Sequence, residues 1–197
     1  MKIGVLALQG DFREHLALIG SIGEVGIEVR TPEELEQVDA LIIPGGESTT
    51  IGKLAVLYGL VDPIRDRVRA GMPVLGTCAG MIFLASGVTE GDQPQLGVLD
   101  VVVERNAFGR QIDSFEADLE VAGRGEPVHA VFIRAPWIHK AASGVEVLAS
   151  VTDPSTGEER PVVVRQDNVL ATSFHPELIG EPWIHELLVE ATARCEM

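Results

Sequence analysis

The sequence predicts an α/β fold: a central, mostly parallel sheet flanked by helices, with antiparallel strands in the second half. Two observations carry this. Up to Ala85, short apolar runs rich in Val, Ile and Leu alternate with helical patterns, as expected of parallel strands joined by crossover helices. From Leu96 onward the apolar runs follow one another with only turns between them, an antiparallel texture.

The elements follow in order. Ile3 to Leu8 is the first strand and Phe12 to Ile22 the first helix; Ile27 to Arg30 with Pro32 to Gln37, and Val38 to Ile43 with Thr49 to Leu57, repeat the pair. Asp62-Pro63 predicts an N-cap followed by proline at the first helical position, opening a helix through Ala70 that Gly71 ends. Pro73, Val74 and Leu75 then form a buried strand, and Met81 to Ala85 the helix after it. Six strands are expected beyond: Leu96 to Glu104, Phe115 to Val121, Val128 to Ile133, Val145 to Val151, Pro161 to Arg165 and Val169 to Phe174. Thr152 to Gly157 is a turn, and Gln166-Asp167-Asn168 is short enough to close a hairpin. Glu181-Pro182 starts a last helix with Trp183, Ile184, Leu187, Leu188 and Ala191 on one side.

A chain of 197 residues, 46% apolar, suffices for the core of one domain, and no repeat or low-complexity linker divides it, so residues 1 to 197 are expected to form a single domain. Acidic residues outnumber basic ones thirty to fifteen. That balance disfavours nucleic acid phosphates or an anionic membrane surface as partners and suits a small zwitterion or a basic protein. The apolar start, Met1 to Leu8, is too short to span a membrane. Only Cys78 and Cys195 are cysteines, the latter near the carboxyl terminus, so a reducing, cytoplasmic setting is expected.

Chemistry concentrates at Gly76-Thr77-Cys78-Ala79-Gly80, where a buried strand should turn sharply into a helix. Small residues permit the tight turn that carries the serine of G-x-S-x-G hydrolases, here with a thiol. Helix-start N–H groups and a nearby imidazole both favour the thiolate. Ser173-Phe174-His175-Pro176-Glu177 supplies that imidazole and a carboxylate two positions on; in an extended segment both would point to one face. His175 is then the expected general base and acid, and Glu177 the group that orients it. A cysteine alone is commonly a buried, inert residue and a histidine alone a structural one. The conjunction favours a Cys78-His175-Glu177 triad.

Pro44-Gly45-Gly46-Glu47-Ser48-Thr49-Thr50 follows the third strand. Its glycines can aim N–H groups at a ligand, so Gly46 N–H with Ala79 N–H can form an oxyanion hole. The same loop can equally cap the next helix through Ser48 or Thr49. It lacks the Gly-Lys-Ser/Thr ending of a phosphate-binding loop. Gln9-Gly10 ends the first strand, where ligands of open α/β sheets commonly bind, although a simple strand-terminal turn explains it as well.

Together Gly76 to Gly80, Pro44-Gly45-Gly46 and His175-Pro176-Glu177 resemble the class I glutamine amidotransferase family, whose members release ammonia from glutamine. The closer likeness is to its branch of pyridoxal 5′-phosphate synthase glutaminases. It rests on Gly4 to His15, Pro44 to Thr50, Arg105 to Gln111 with Ser114-Phe115-Glu116, and Phe132-Ile133-Arg134-Ala135-Pro136, covering nearly the whole chain in order. The resemblance implies a three-layer, flavodoxin-like fold, Cys78 as nucleophile with His175 and Glu177, and glutamine contacts from Gly46, Glu47, Ser48, Arg105, Ile133 and Arg134. It implies that Gly10 belongs to an oxyanion hole completed by a synthase partner, and that neither a cofactor nor a metal is bound. Rival expectations are the glutaminase of histidine biosynthesis, a catalytically silent regulatory subunit of this fold, and a cysteine hydrolase of other acyl compounds.

Overall fold

A computed structural model describes residues 1–105, 114–153 and 157–195. The first half runs β1 (Lys2–Leu6), α1 (Phe12–Ser21), β2 (Val25–Val29), α2 (Pro32–Leu35), β3 (Ala40–Ile43), α3 (Ser48–Leu57), α4 (Val61–Arg69), β4 (Val74–Thr77) and α5 (Ala79–Leu84). The second runs β5 (Ala85–Val88), β6 (Leu99–Glu104), β7 (Ser114–Leu119), β8 (Val128–Ile133), β9 (Trp137–Ala141), β10 (Glu146–Thr152), β11 (Glu159–Gln166), β12 (Val169–Thr172), α6 (Pro176–Ile179) and α7 (Trp183–Cys195).

Seven strands form the main sheet in the order β10-β11-β12-β4-β3-β1-β2. From β2 to β12 all pairings are parallel, and β11 and β10 extend that edge antiparallel. The central strands Ala-Leu-Ile-Ile of β3, Val-Leu-Gly-Thr of β4 and Val-Leu-Ala-Thr of β12 are buried at every residue. Continuous apolar runs of this kind are what a parallel sheet covered on both faces requires. Alternation along each strand divides the core: Leu41, Ile43 and Val74 pack with Ile51, Ile64 and Phe83, while Ala40, Ile42 and Leu75 pack with Ile19, Phe132, Ile184 and Leu188. Helices α3, α4 and α5 thus cover one face, and α1, α7 and the β7–β8 pair the other.

Four expectations are modified. Asp62 and Pro63 lie inside α4, whose N-cap is Leu60, so Asp62 sits in the first turn rather than before it. An acid there still favours the positive end of the helix, and proline there removes only an N–H that lacks an intrahelical acceptor. Ala85–Val88 and Trp137–Ala141 are additional strands that join β6 in a separate three-stranded sheet. The first begins directly where α5 ends, leaving no turn residues to announce it. Third, β5 pairs parallel with β6, and β12 parallel with β4, within a half that is otherwise antiparallel. Last, Pro176 and Glu177 belong to a short helix, not to the strand before it. The predicted hairpin does form: Gln166 pairs with Val169 across Asp167-Asn168, and Asp167 takes a left-handed φ of 51°. Within the predicted turn at 152–157, residues 154–156 lie outside the described residues, as do 106–111 of the Arg105 to Gln111 segment.

Candidate active site

The loops after β1, β3, β4 and β12 all leave the main sheet at its carboxyl end, beside the point where strand order reverses between β1 and β3. Ligands of open α/β sheets bind at such a crevice. A cavity of about 390 Å³ lies there.

Cys78 forms the elbow between β4 and α5, held by its backbone N–H donating to Thr172 O at 2.8 Å. The strain of the turn sits on the cysteine itself, with φ 49° and ψ −104°, a conformation costly for any residue with a Cβ. The flanking glycines serve close approach instead: a Cβ on Gly80 would stand 2.0 Å from Ile43 O, and one on Gly76 2.5 Å from Leu84 Cδ1. Only hydrogens fit where the elbow presses on β3 and α5.

His175 follows β12 and is anchored by its backbone N–H donating to Val131 O at 3.1 Å. It is the N-cap of α6 with Pro176 at the first helical position, where a fixed φ suits the turn. The expected same-face placement of His175 and Glu177 along a strand therefore does not apply. The helical turn brings them together instead, His175 Nδ1 lying 2.7 Å from Glu177 Oε1. Burial opposes charging of the imidazole, but hydrogen bonds to Cys78 and Glu177, and their charges, outweigh it and raise its pKa to about 10. For Glu177, burial pushes the pKa up while the hydrogen bond and charge of His175 pull it down; the net direction is upward. The arrangement sets the imidazole between the Cys78 sulfur and a buried carboxyl group, both of which favour its charged form.

Gly46, with φ 144°, lines the cavity together with Cys78, Ala79 and His175, and so do Glu47, Ser48, Arg105, Ile133 and Arg134. Glu47 is the N-cap of α3, its carboxylate accepting from Thr49 N at 3.1 Å and Thr50 N at 2.7 Å, so it rather than Ser48 or Thr49 supplies the cap. Hydrogen bonding from the Thr50 hydroxyl, and then from these N–H groups, outweighs partial burial and lowers its pKa to about 2. Arg105 reaches Glu47 Oε1 at 3.3 Å across the cavity. The Ser48 hydroxyl donates to Gln93 Oε1 at 3.1 Å, away from the cavity, which leaves its backbone as the group to meet a ligand. Arg134 takes φ 46° where β8 ends, a second strained non-glycine position at this site.

Gly10, with φ 94°, does not line the cavity but lies beneath its wall, where a Cβ would stand 1.7 Å from Gly45 O. Its neighbours do more than the sequence suggested. Gln9 Oε1 accepts from Glu47 N at 2.7 Å, and Asp11 lines the cavity with Oδ2 3.6 Å from His175 Nδ1. Ile82 and Leu178 add apolar wall. The signal for Gln9 and Asp11 was their place at the end of the first strand. Among the described residues, donor atoms of Asp11, His175 and Glu177 cluster within 4.8 Å of one another, yet the shortest contact in the set already engages His175 Nδ1 with Glu177 Oε1. A second cavity of similar volume, bordered by Arg165, Asp167, Asn168, Leu187 and Arg194, is lined by no cysteine, serine or histidine among the described residues.

The chain matches the family model of the SNO glutamine amidotransferase family over residues 5–194. It is 56% identical over 192 residues to pyridoxal 5′-phosphate synthase subunit PdxT of Frankia alni, covering 96% of this chain and 94% of that protein. To the PdxT of Carboxydothermus hydrogenoformans it is 51% identical over 195 residues, covering 98% and 99%. A crystal structure of a glutamine amidotransferase, 53% identical, superposes with a TM-score of 0.90 over 97% of this chain and 98% of that one. The PurLQS structure from Thermotoga maritima, at 18% identity and a TM-score of 0.71, shares the fold. On a match that runs almost from end to end, this chain belongs to the SNO glutamine amidotransferase family.

Proposed function

We propose that the chain hydrolyses L-glutamine to L-glutamate and ammonia as the glutaminase subunit of a cytoplasmic pyridoxal 5′-phosphate synthase, and hands the ammonia to the synthase subunit PdxS (Pdx1). Family membership and PdxT relatives at 51–57% identity support the assignment. The single observation that carries it is the shared cavity: Cys78 and His175 line the same 390 Å³ space as Gly46, Glu47, Ser48, Arg105, Ile133 and Arg134. Glutamine presents a carboxylate, an ammonium and a side-chain amide. The arginines and backbone N–H groups answer the first, Glu47 the second, and the cysteine the third.

In this reading the Cys78 thiolate adds to the amide carbon, and negative charge moves onto the former carbonyl oxygen. Gly46 and Ala79 N–H groups stabilise that oxyanion, each donor contributing roughly 2.7–4 kcal/mol to the transition state. His175 gives its proton to the departing nitrogen, ammonia leaves, and a glutamyl thioester remains. Neutral His175 then takes a proton from water, which attacks the thioester and releases glutamate and the thiolate. Glu177 holds the imidazole in orientation and balances its charge throughout. Gly10, packed against Gly45, gives the oxyanion loop a hinge that the synthase subunit can set.

The test is a glutaminase assay with and without the synthase subunit, coupled to detection of pyridoxal 5′-phosphate. Turnover raised by the partner and abolished in Cys78→Ala is expected. Turnover by Cys78→Ala in the assembled complex overturns the nucleophile, and equal rates with and without partner overturn the hinge.

A further inference from the structure

Behind the triad lies a buried chain of side chains that this mechanism leaves unused. His15, on α1, has no exposed surface; neither has His185, on α7. His15 Nδ1 is 2.9 Å from His185 Nε2, while His15 Nε2 is 3.2 Å from Thr77 Oγ1 and 3.5 Å from Glu177 Oε2. Glu177 Oε2 and His185 Nδ1 are both buried and lack a hydrogen-bond partner among the described residues. The chain thus continues from Cys78 through His175 and Glu177 to His15 and His185, joining α1 and α7 to the elbow.

Proton accounting selects its polarity. Burial first, then the charges of His185 and His175, hold the pKa of His15 well below its ordinary value, and burial lowers that of His185 to about 4, so each ring carries one proton. If His15 donated from Nδ1, His185 Nδ1 would keep a buried, unpaired N–H, and His15 Nε2 would turn a lone pair on the carboxylate oxygen. If His185 Nε2 donates to His15 Nδ1, no buried N–H is orphaned: His185 Nδ1 is left with a bare lone pair, and Glu177 Oε2 has the 3.5 Å approach of His15 Nε2–H. His15 Nε2–H then faces both Thr77 Oγ1 and Glu177 Oε2. The second arrangement avoids an orphaned N–H and a repulsive contact, each costly in a buried site.

Resting on the triad reading above, we propose that His15 is a positioning residue for Glu177: its Nε2–H, fixed by His185, meets the carboxylate oxygen that His175 does not use and holds Glu177 ionised and oriented. The groups facing the carboxylate are His175 at 2.7 Å, His15 at 3.5 Å, and Asp11, whose negative charge disfavours ionisation. Without the His15 donor, Glu177 takes up a proton at higher pH and His175 loses its counter-charge.

The experiment is a kcat–pH profile of the complex with the synthase subunit. His15→Leu is expected to lower kcat about tenfold, leave KM for glutamine within about twofold, and move the acid limb upward by about one pH unit. His15→Gln, which retains an amide N–H near the Nε2 position, should recover the wild-type limb. A wild-type limb in His15→Leu, or equal shifts in the Leu and Gln variants, overturns the proposal. Should His15→Leu not fold, histidine-selective 15N NMR of the wild-type protein decides: protonated Nε2 with bare Nδ1 on His15 supports it, the reverse overturns it. A wild-type complex without glutaminase activity would instead sink the parent reading, and the tautomer would still test the polarity of the chain.

Discussion

Gln9 and Glu47 are tied by a hydrogen bond of 2.7 Å from the Glu47 backbone N–H to the Gln9 side-chain oxygen. The bond joins the end of β1 to the loop after β3, and a Cβ on Gly46 would lie 2.5 Å from the same oxygen. Gln9 therefore clamps the peptide next to the Gly46 N–H proposed above to hold the oxyanion. Gln9→Leu keeps the bulk and removes the acceptor. Its expected cost is about 1 kcal/mol of stability in urea melts, with kcat/KM for glutamine lower by about tenfold. An unchanged kcat/KM would show that the loop holds its shape unaided.

Gly45 faces the imidazole directly. A Cβ there would stand 2.3 Å from His175 Cε1 and 2.8 Å from Nδ1, well inside contact distance. Because His175 borders the cavity, Gly45→Ala has a soft direction in which to relieve the clash: the ring tilts outward, away from Glu177 and Cys78. Loss of kcat by at least about a hundredfold is expected, with a cost in stability of about 1–3 kcal/mol. Full activity in this variant would mean the ring does not need the position seen here.

How far the sequence reaches can be judged from these residues. The apolar runs that became β3, β4 and β12 announced themselves because a parallel sheet covered on both faces leaves no polar alternation to confuse them. Cys78 was legible from its small neighbours, though not which atom carries the strain: the glycines mark close packing against Ile43 and Leu84, and the positive φ falls on the cysteine. The relation of His175 to Glu177 was legible as a pair and wrong in geometry, because Pro176 reads equally as a strand end or a helix start. For Gln9 the sequence offered a place at the strand end but no partner, and Asp11 and His15 escaped a functional reading: the contacts of all three, with Glu47, His175 and Glu177, span more than thirty residues of sequence, and periodicity carries only local information.

The strain at Cys78 predicts a trade between stability and chemistry. Its φ of 49° and ψ of −104° cost a Cβ-bearing residue on the order of 1–3 kcal/mol, against roughly 0.5–1 kcal/mol for the extra chain entropy of glycine. Cys78→Ala retains the strain and Cys78→Gly relieves it, and both lack the thiol. In urea unfolding Cys78→Gly is expected to exceed Cys78→Ala by about 1 kcal/mol. An alanine variant as stable as the glycine one would place no strain in the elbow.

Glu47 links the cap of α3 to pH. The Thr50 hydroxyl and the Thr49 and Thr50 N–H groups bond its ionised form, so its pKa falls from 4.5 to about 2 on folding. A carboxylate depressed in this way stabilises the fold fully above its unfolded pKa and loses that contribution as pH falls through the folded one. The side chain is 51% exposed, so solvent screening trims the effect to about 1 kcal/mol, the scale of a surface N-cap. Glu47→Gln preserves shape without charge. The stability difference between wild type and this variant should be complete above pH 4.5 and shrink toward zero as pH approaches 2, measured by urea unfolding across that range. A variant as stable as wild type at every pH would mean that shape rather than charge caps the helix, and that the Arg105 contact at 3.3 Å adds nothing to stability either.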